Sequence, residues 1–278
     1  MTYTRFLAIF LVIPILAAAG LNWLDYRKKK KLPDDSHFVP FWVSLVVHIS
    51  VAVIYTTPWD NYLVATGVWY YDPALVTGVK IGWVPVEEYS FFVLQTLLAG
   101  LWLLWLARQL TSQERIKLSN GNQLRAYTAL ITGLAWLAAT GLLFWGGPST
   151  IYLGLILFWG LPPFMLQLAF GADILWMHRR LAALTLIPVT LYLAATDSLA
   201  IAAGTWKINP MQSLNVFLPG GLPLEEFIFF WVTNTLVVLG MILLLSTESR
   251  ERAVQLKALL LRKYFRGKLV ITPGEMDP

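Results

Sequence analysis

The residues best able to do chemistry occur in two copies of one acidic motif. The copies are Pro85-Val86-Glu87-Glu88-Tyr89-Ser90-Phe91-Phe92 and Pro223-Leu224-Glu225-Glu226-Phe227-Ile228-Phe229-Phe230. Each stands at the mouth of an apolar run, where carboxyl groups are costly and ask for a chemical reason. Pro followed by Glu also simply starts a helix well, but that does not account for two copies with the same aromatic trailer. A carboxyl group in an apolar setting holds its proton more tightly, and a neighbouring carboxylate reinforces the effect. One member of a pair then suits a general acid, and an ionised member suits a base. Glu87, Glu88, Glu225 and Glu226 are therefore the candidate catalytic groups.

An acid and a base set among aromatic faces suit a carbocation, which each well-placed ring can stabilise by about 0.5–2 kcal/mol. Trp59, Trp69, Trp206, Tyr89, Phe92, Phe227 and Phe230 are candidates to wall such a cation. Asp60, Asp197 and Asn234 are polar candidates for the same substrate site. Tryptophans near a helix mouth also serve as plain interfacial anchors. The acids near the motifs have few bases beside them, so some are expected to stay protonated near neutral pH.

The elements that must position these groups are membrane helices. The 278 residues are 57% hydrophobic and 13% charged, with a mean hydropathy of +0.62. A soluble domain carries about 25% charged residues. Apolar runs near the roughly 20 residues needed to cross a bilayer fall at 4–24, 38–56, 86–107, 127–145, 151–171, 181–199 and 226–245. The expected fold is thus an all-α membrane protein with seven transmembrane helices in one domain, residues 1–278. The connections after the first, third and fifth spans, together with the tail, hold 18 of the 21 Lys and Arg residues. Only Arg5, Lys80 and Lys207 fall on the opposite side. By the positive-inside rule the chain is expected in the cell membrane with its N-terminus outside and its C-terminus cytoplasmic. The charge of +5 is then a topology signal, and no nucleic-acid partner is expected.

Ala17-Ala18-Ala19 resembles a signal-peptide cleavage site. Cleavage there would oblige the basic run Arg27 to Lys31 to cross the membrane, so a retained first helix is expected. There is no cysteine, which rules out disulfides and thiolate chemistry. In the tail, 248–278, Val254, Ala258, Leu261 and Phe265 recur at helical spacing between bases, as in an amphipathic helix lying on the inner leaflet.

The motif belongs to a longer repeat. Asp60 and Asp197 are 137 positions apart, as are Trp69 and Trp206, and Gly67-Val68-Trp69 is echoed by Gly204-Thr205-Trp206. Glu87 and Glu225 are 138 apart. The expected organisation is a first repeat over 1–108, a bridging helix over 126–146 and a second repeat over 150–247. An offset of four helices preserves direction, so the three-helix repeats are parallel, unlike the inverted ones of many transporters. Both Glu pairs then enter the membrane from the outer face, beneath long aromatic loops near 57–85 and 197–222, and line one cavity between helices three and seven.

With these residues in view, the chain resembles the integral-membrane lycopene cyclases of bacteria, archaea and fungi, in a form with both halves fused. The likeness rests on the two Pro-x-Glu-Glu motifs, on Thr57-Pro58-Trp59-Asp60-Asn61-Tyr62 with Val84 to Thr96, and on Asp197-Ser198 with Leu222 to Thr235. The resemblance implies a lycopene β-cyclase. Protonation of the terminal double bond of a linear carotene lets the cation close a six-membered ring, and proton loss completes a β-ionone ring, converting lycopene to γ-carotene and β-carotene. Substrate and product are isomers, so no cofactor and no metal are expected. The chain also lacks the Gly-x-Gly-x-x-Gly fingerprint of a dinucleotide site. The implied partners are lycopene, the bilayer and neighbouring carotenoid-pathway enzymes.

Rival readings are a carotenoid hydratase, which would quench the same cation with water, and a proton-coupled transporter, whose acids usually lie nearer the midplane. A retinal photoreceptor needs a lysine in the last span, and 226–245 contains none. Among the remaining polar residues, His48 is expected to be structural and Asp173 to pair with Arg179 or reach the interface. Pro162-Pro163 is expected to kink the fifth helix, with Gln167 satisfying the backbone freed there.

Overall fold

The computed structural model describes residues 1–30, 32, 39–110 and 118–268, with side chains to 262. Seven of its helices are long and apolar enough to cross a membrane: α1 (Tyr3–Arg27), α2 (Phe41–Ala65), α3 (Val86–Gln109), α4 (Gly121–Trp145), α5 (Ile151–Met177), α6 (Arg179–Ala202) and α7 (Leu224–Leu245). An eighth, α8 (Thr247–Lys268), forms the tail. The protein is a multi-pass membrane protein. Ala17-Ala18-Ala19 lies inside α1, which takes a π-helical course over Ala8–Val12.

Helices α3 and α7 pack against each other and form the centre, flanked by α2, α5 and α6, while α4 packs chiefly on α5. Both central helices start the same way. Pro85 and Pro223 are the N-cap residues, in extended geometry, so each Glu pair occupies the second and third positions of its helix. A proline has no N–H to lose at a helix start. Each is held by a short antiparallel ladder: β2 (Lys80–Ile81) with β3 (Val84–Pro85), and β5 (Phe217–Leu218) with β6 (Leu222–Pro223).

Helices α2 and α6 run further than the hydropathy pattern suggests. The aromatic loops expected to begin near 57 and 197 begin after Ala65 and Ala202, so Asp60 and Asp197 lie on helices. Pro58 is accommodated inside α2, where Trp59 and Leu63 are buried on the same stretch. Termination comes instead at Gly67 and Gly204, whose φ angles of +69° and +72° suit a residue without Cβ. The next amides, Val68 and Thr205, bond back to Leu63 and Ala200 and close the last turns. The chain then forms β1 (Trp69–Tyr71) and β4 (Trp206–Ile208), which pair antiparallel with Tyr70 opposite Lys207.

At the basic end, Asp173 pairs with Arg252 of α8, at 2.8 and 2.6 Å, and lies 3.8 Å from Arg125. Arg179, the partner expected from sequence proximity, donates to the Trp176 carbonyl. The ion pair fastens the start of α8 to α5, leaving Val254, Leu256, Leu259, Leu260 and Leu261 exposed. The side chain of Phe265 lies outside the described residues. Pro162 and Pro163 sit inside α5, but helical geometry is lost at Gly171, which α7 approaches closely through Leu243. Gln167 donates to the Leu236 carbonyl on α7 at 2.8 Å, so it bridges helices and does not patch the proline step. His48 bonds the Ser44 carbonyl and packs on Gly240, a structural role.

Candidate active site

Neighbouring residues on an α-helix point about 100° apart, and this divides each Glu pair between two environments. The first members turn toward the loops. Glu87 accepts the Thr77 amide at 2.6 Å, and Glu225 accepts the Leu214 amide at 2.6 Å and the Ser213 hydroxyl at 3.0 Å. Each thereby ties a helix start to the loop before it. Their second oxygens are buried without a partner among the described residues.

The second members, Glu88 and Glu226, turn inward onto one small cavity of about 30 Å³ between α3 and α7. Glu88 accepts from two phenols on the same oxygen, Tyr3 at 2.6 Å and Tyr71 at 2.9 Å. Glu226 accepts from one, Tyr152 at 2.6 Å. Burial, followed by the nearby charge of Glu88, pushes the Tyr71 phenol well above its ordinary range. Tyr71 thus remains a donor throughout the physiological range.

Trp69, Trp206, Phe91, Phe229 and Phe230 line the same cavity. Asp197 also reaches it, accepting the Trp206 indole N–H at 3.1 Å with one oxygen while the other has no partner among the described residues. Asp60 is fully buried with both oxygens unpartnered there. An isolated carboxylate in such surroundings would be very costly. Trp59 stands one row back, its ring 5.6 Å from Phe229 and nearly parallel to it, with its N–H on the Leu155 carbonyl.

Other candidates lie off the cavity. Asn234 sits lower in the bundle, accepting from Gln95 at 3.1 Å and donating to Thr190 at 3.1 Å. Tyr89 donates to the Ile81 carbonyl and accepts from Asn61, with Phe92 packed edge-on against it. Phe227 packs against Trp231, itself half exposed. Tyr3, Tyr71 and Tyr152, none of them among the site residues expected from the sequence, each donate to a cavity glutamate. Tyr3 and Tyr152 both stand near the start of a membrane-spanning helix, α1 and α5.

Two carboxyl groups facing one aromatic-walled cavity can donate and accept a proton around a shared hydrocarbon. Against known proteins, the chain is 39% identical over 206 residues to a lycopene beta-cyclase of Halobacterium salinarum, an alignment covering 73% of this chain and 83% of that one. The chain belongs to the lycopene cyclase family. Fungal bifunctional lycopene cyclase/phytoene synthases are also similar. That of Gibberella fujikuroi is 35% identical over 208 residues, covering 71% of this chain, and that of Arthroderma gypseum is 33% identical over 248 residues, covering 80%. This cyclase-family chain spans about a third of the former, 34%, and 41% of the latter. No protein-family profile matches the chain. No solved structure matches it.

Proposed function

We propose that this chain is a lycopene β-cyclase that closes β-ionone rings on lycopene by acid–base isomerisation, in a site shared by its two halves. The observation that carries the reading is that Glu88 and Glu226, one from each half, open on the same aromatic cavity. One carboxyl group protonates the terminal double bond of the carotene, creating a tertiary cation. A nearby double bond attacks it and closes the ring. The cation thus moved onto the ring loses a proton to the second carboxyl group, and the C–H electrons become the ring double bond. Trp69, Trp206 and the phenylalanines stabilise the positive charge through their ring faces.

Matched contacts support the two-repeat organisation, with α1–α3 in 1–108 corresponding to α5–α7 in 150–247 and α4 as the bridge. Glu87 and Glu225 each take a loop amide, Gly67 and Gly204 each end a helix, and Tyr3 and Tyr152 each donate to the inner glutamate of a pair. The strands β1 and β4 meet in a register that a twofold axis through Tyr70 and Lys207 would preserve. The charge distribution supports a cavity on the non-cytoplasmic side, with α8 on the inner leaflet.

The test is expression in cells that accumulate lycopene, followed by chromatography of the pigments. Cyclic products with unchanged mass support the cyclase. Products one water heavier would mark a hydratase, and unaltered lycopene would refute the reading.

A further inference from the structure

Accepting the cyclisation reading, we infer that Glu226 is the proton donor and Glu88 the proton acceptor, and that Tyr71 is the positioning residue that makes the two halves unequal. Among the side chains that hydrogen-bond the two cavity glutamates, the halves differ at one position. Tyr3 of α1 donates to Glu88, and Tyr152 of α5 donates to Glu226, both at 2.6 Å. Tyr71 adds a second bond to Glu88 from strand β1. At the repeat offset of 137, the matching position on β4 is Ile208, whose side chain has no hydrogen-bond donor.

Hydrogen bonds from neutral donors stabilise a carboxylate and do less for the protonated acid. Glu88, with two phenols converging on Oε2, is built to carry the anion and leaves Oε1 without a hydrogen bond among the described residues. Glu226, with one phenol on Oε1, gives up less on holding its proton and leaves Oε2 as the oxygen that delivers it. The step balances. Glu226 loses its proton to the terminal double bond, the ring closes, and Glu88 takes the proton released when the ring double bond forms. Proton return from Glu88 to Glu226 resets the pair for the next ring.

The assignment makes the two isosteric substitutions behave differently. Membranes carrying each variant are incubated with lycopene in heavy water, and the pigments are analysed by mass. E226Q removes the donor, so lycopene returns unlabelled. E88Q still protonates the substrate but cannot deprotonate the cation, so water captures it and a hydroxylated product with one carbon-bound deuterium appears. The cavity is large enough for a water molecule. Unlabelled lycopene from folded E88Q, or a hydroxylated product from E226Q, would overturn the assignment. Failure of the wild-type chain to form rings would instead refute the cyclisation reading itself.

Y71F tests the positioning role. One lost bond to a charged group predicts a kcat roughly 10- to 100-fold lower, with KM kept and a rising share of hydroxylated product. A merely structural tyrosine would lower the amount of folded protein without changing the product ratio, and that result would overturn the role.

Discussion

Tyr71 faces Trp206 across the ladder that joins the two aromatic loops, and both side chains end at one cavity. The ladder is aimed by the helix ends below it, at Gly67 and Gly204. Neither would clash sterically with an added Cβ, so Gly→Ala at either position tests backbone geometry alone. A left-handed conformation costs a non-glycine residue about 1–2 kcal/mol. Each variant is expected to lose about that much stability, read as an earlier thermal transition in detergent.

The vicinal glutamates are expected to differ in sensitivity. Gln at Glu88 or Glu226 should abolish formation of γ- and β-carotene while leaving the protein in the membrane. Gln at Glu87 or Glu225 keeps an oxygen for the Thr77 or Leu214 amide, so activity should stay within about tenfold of wild type. Ala there leaves a loop amide without its acceptor, at a cost of about 1–3 kcal/mol. Pigment chromatography alongside fluorescence-detected gel filtration separates the two effects. Equal loss of activity in E87Q and E88Q would contradict this division.

Tryptophan substitutions should follow distance from the cavity. Trp69→Phe and Trp206→Phe remove part of a cation-facing wall, about 1–2 kcal/mol, and should slow cyclisation roughly 5- to 30-fold. Trp59→Phe acts from the second row and should cost mainly stability, because its N–H bond to Leu155 is lost. Normal turnover and a clean product in both cavity variants would return these residues to an interfacial role.

The absence of cysteine makes orientation measurable. Met211→Cys, exposed near β4, should react with an impermeant maleimide in intact cells. Leu260→Cys on α8 should react only after permeabilisation. The opposite pattern would invert the membrane assignment.

Docking of α8 should weaken when the Asp173–Arg252 ion pair is removed. Arg252→Ala breaks the contacts with Asp173 while both side chains remain partly exposed, 20% and 17%. The expected loss is about 1 kcal/mol, visible as faster proteolysis of the tail with α1–α7 left intact.

Much of this arrangement is readable along the chain, because spans and motifs are local signals. Seven apolar runs correspond to α1–α7, and both Glu pairs open helices. Proline misleads in two directions: Pro58 reads as a breaker but lies within α2, and Pro162-Pro163 reads as a kink while α5 departs from helical geometry at Gly171. What decides those cases is tertiary packing, the buried Trp59 and Leu63 in one and the approach of Leu243 in the other. Long-range partners leave no local trace. Tyr3 lies 85 residues from Glu88, and Arg252 lies 79 from Asp173. A tyrosine near a helix mouth looks the same whether it anchors in lipid headgroups or grips a buried acid.

The cavity between Glu88 and Glu226, about 30 Å³, suits a water molecule, whereas taking in a benzene ring requires roughly 150 Å³. A cavity of that size does not hold a carotene end group, so substrate entry is expected to require the elements around it to part. Turnover is then expected to require such an opening, with the end group of the polyene entering from the lipid. Reclosure then seals the cation from the surrounding medium. Stiffening the bilayer, by lower temperature or more saturated chains, should slow the enzyme even when every side chain at the site is unchanged.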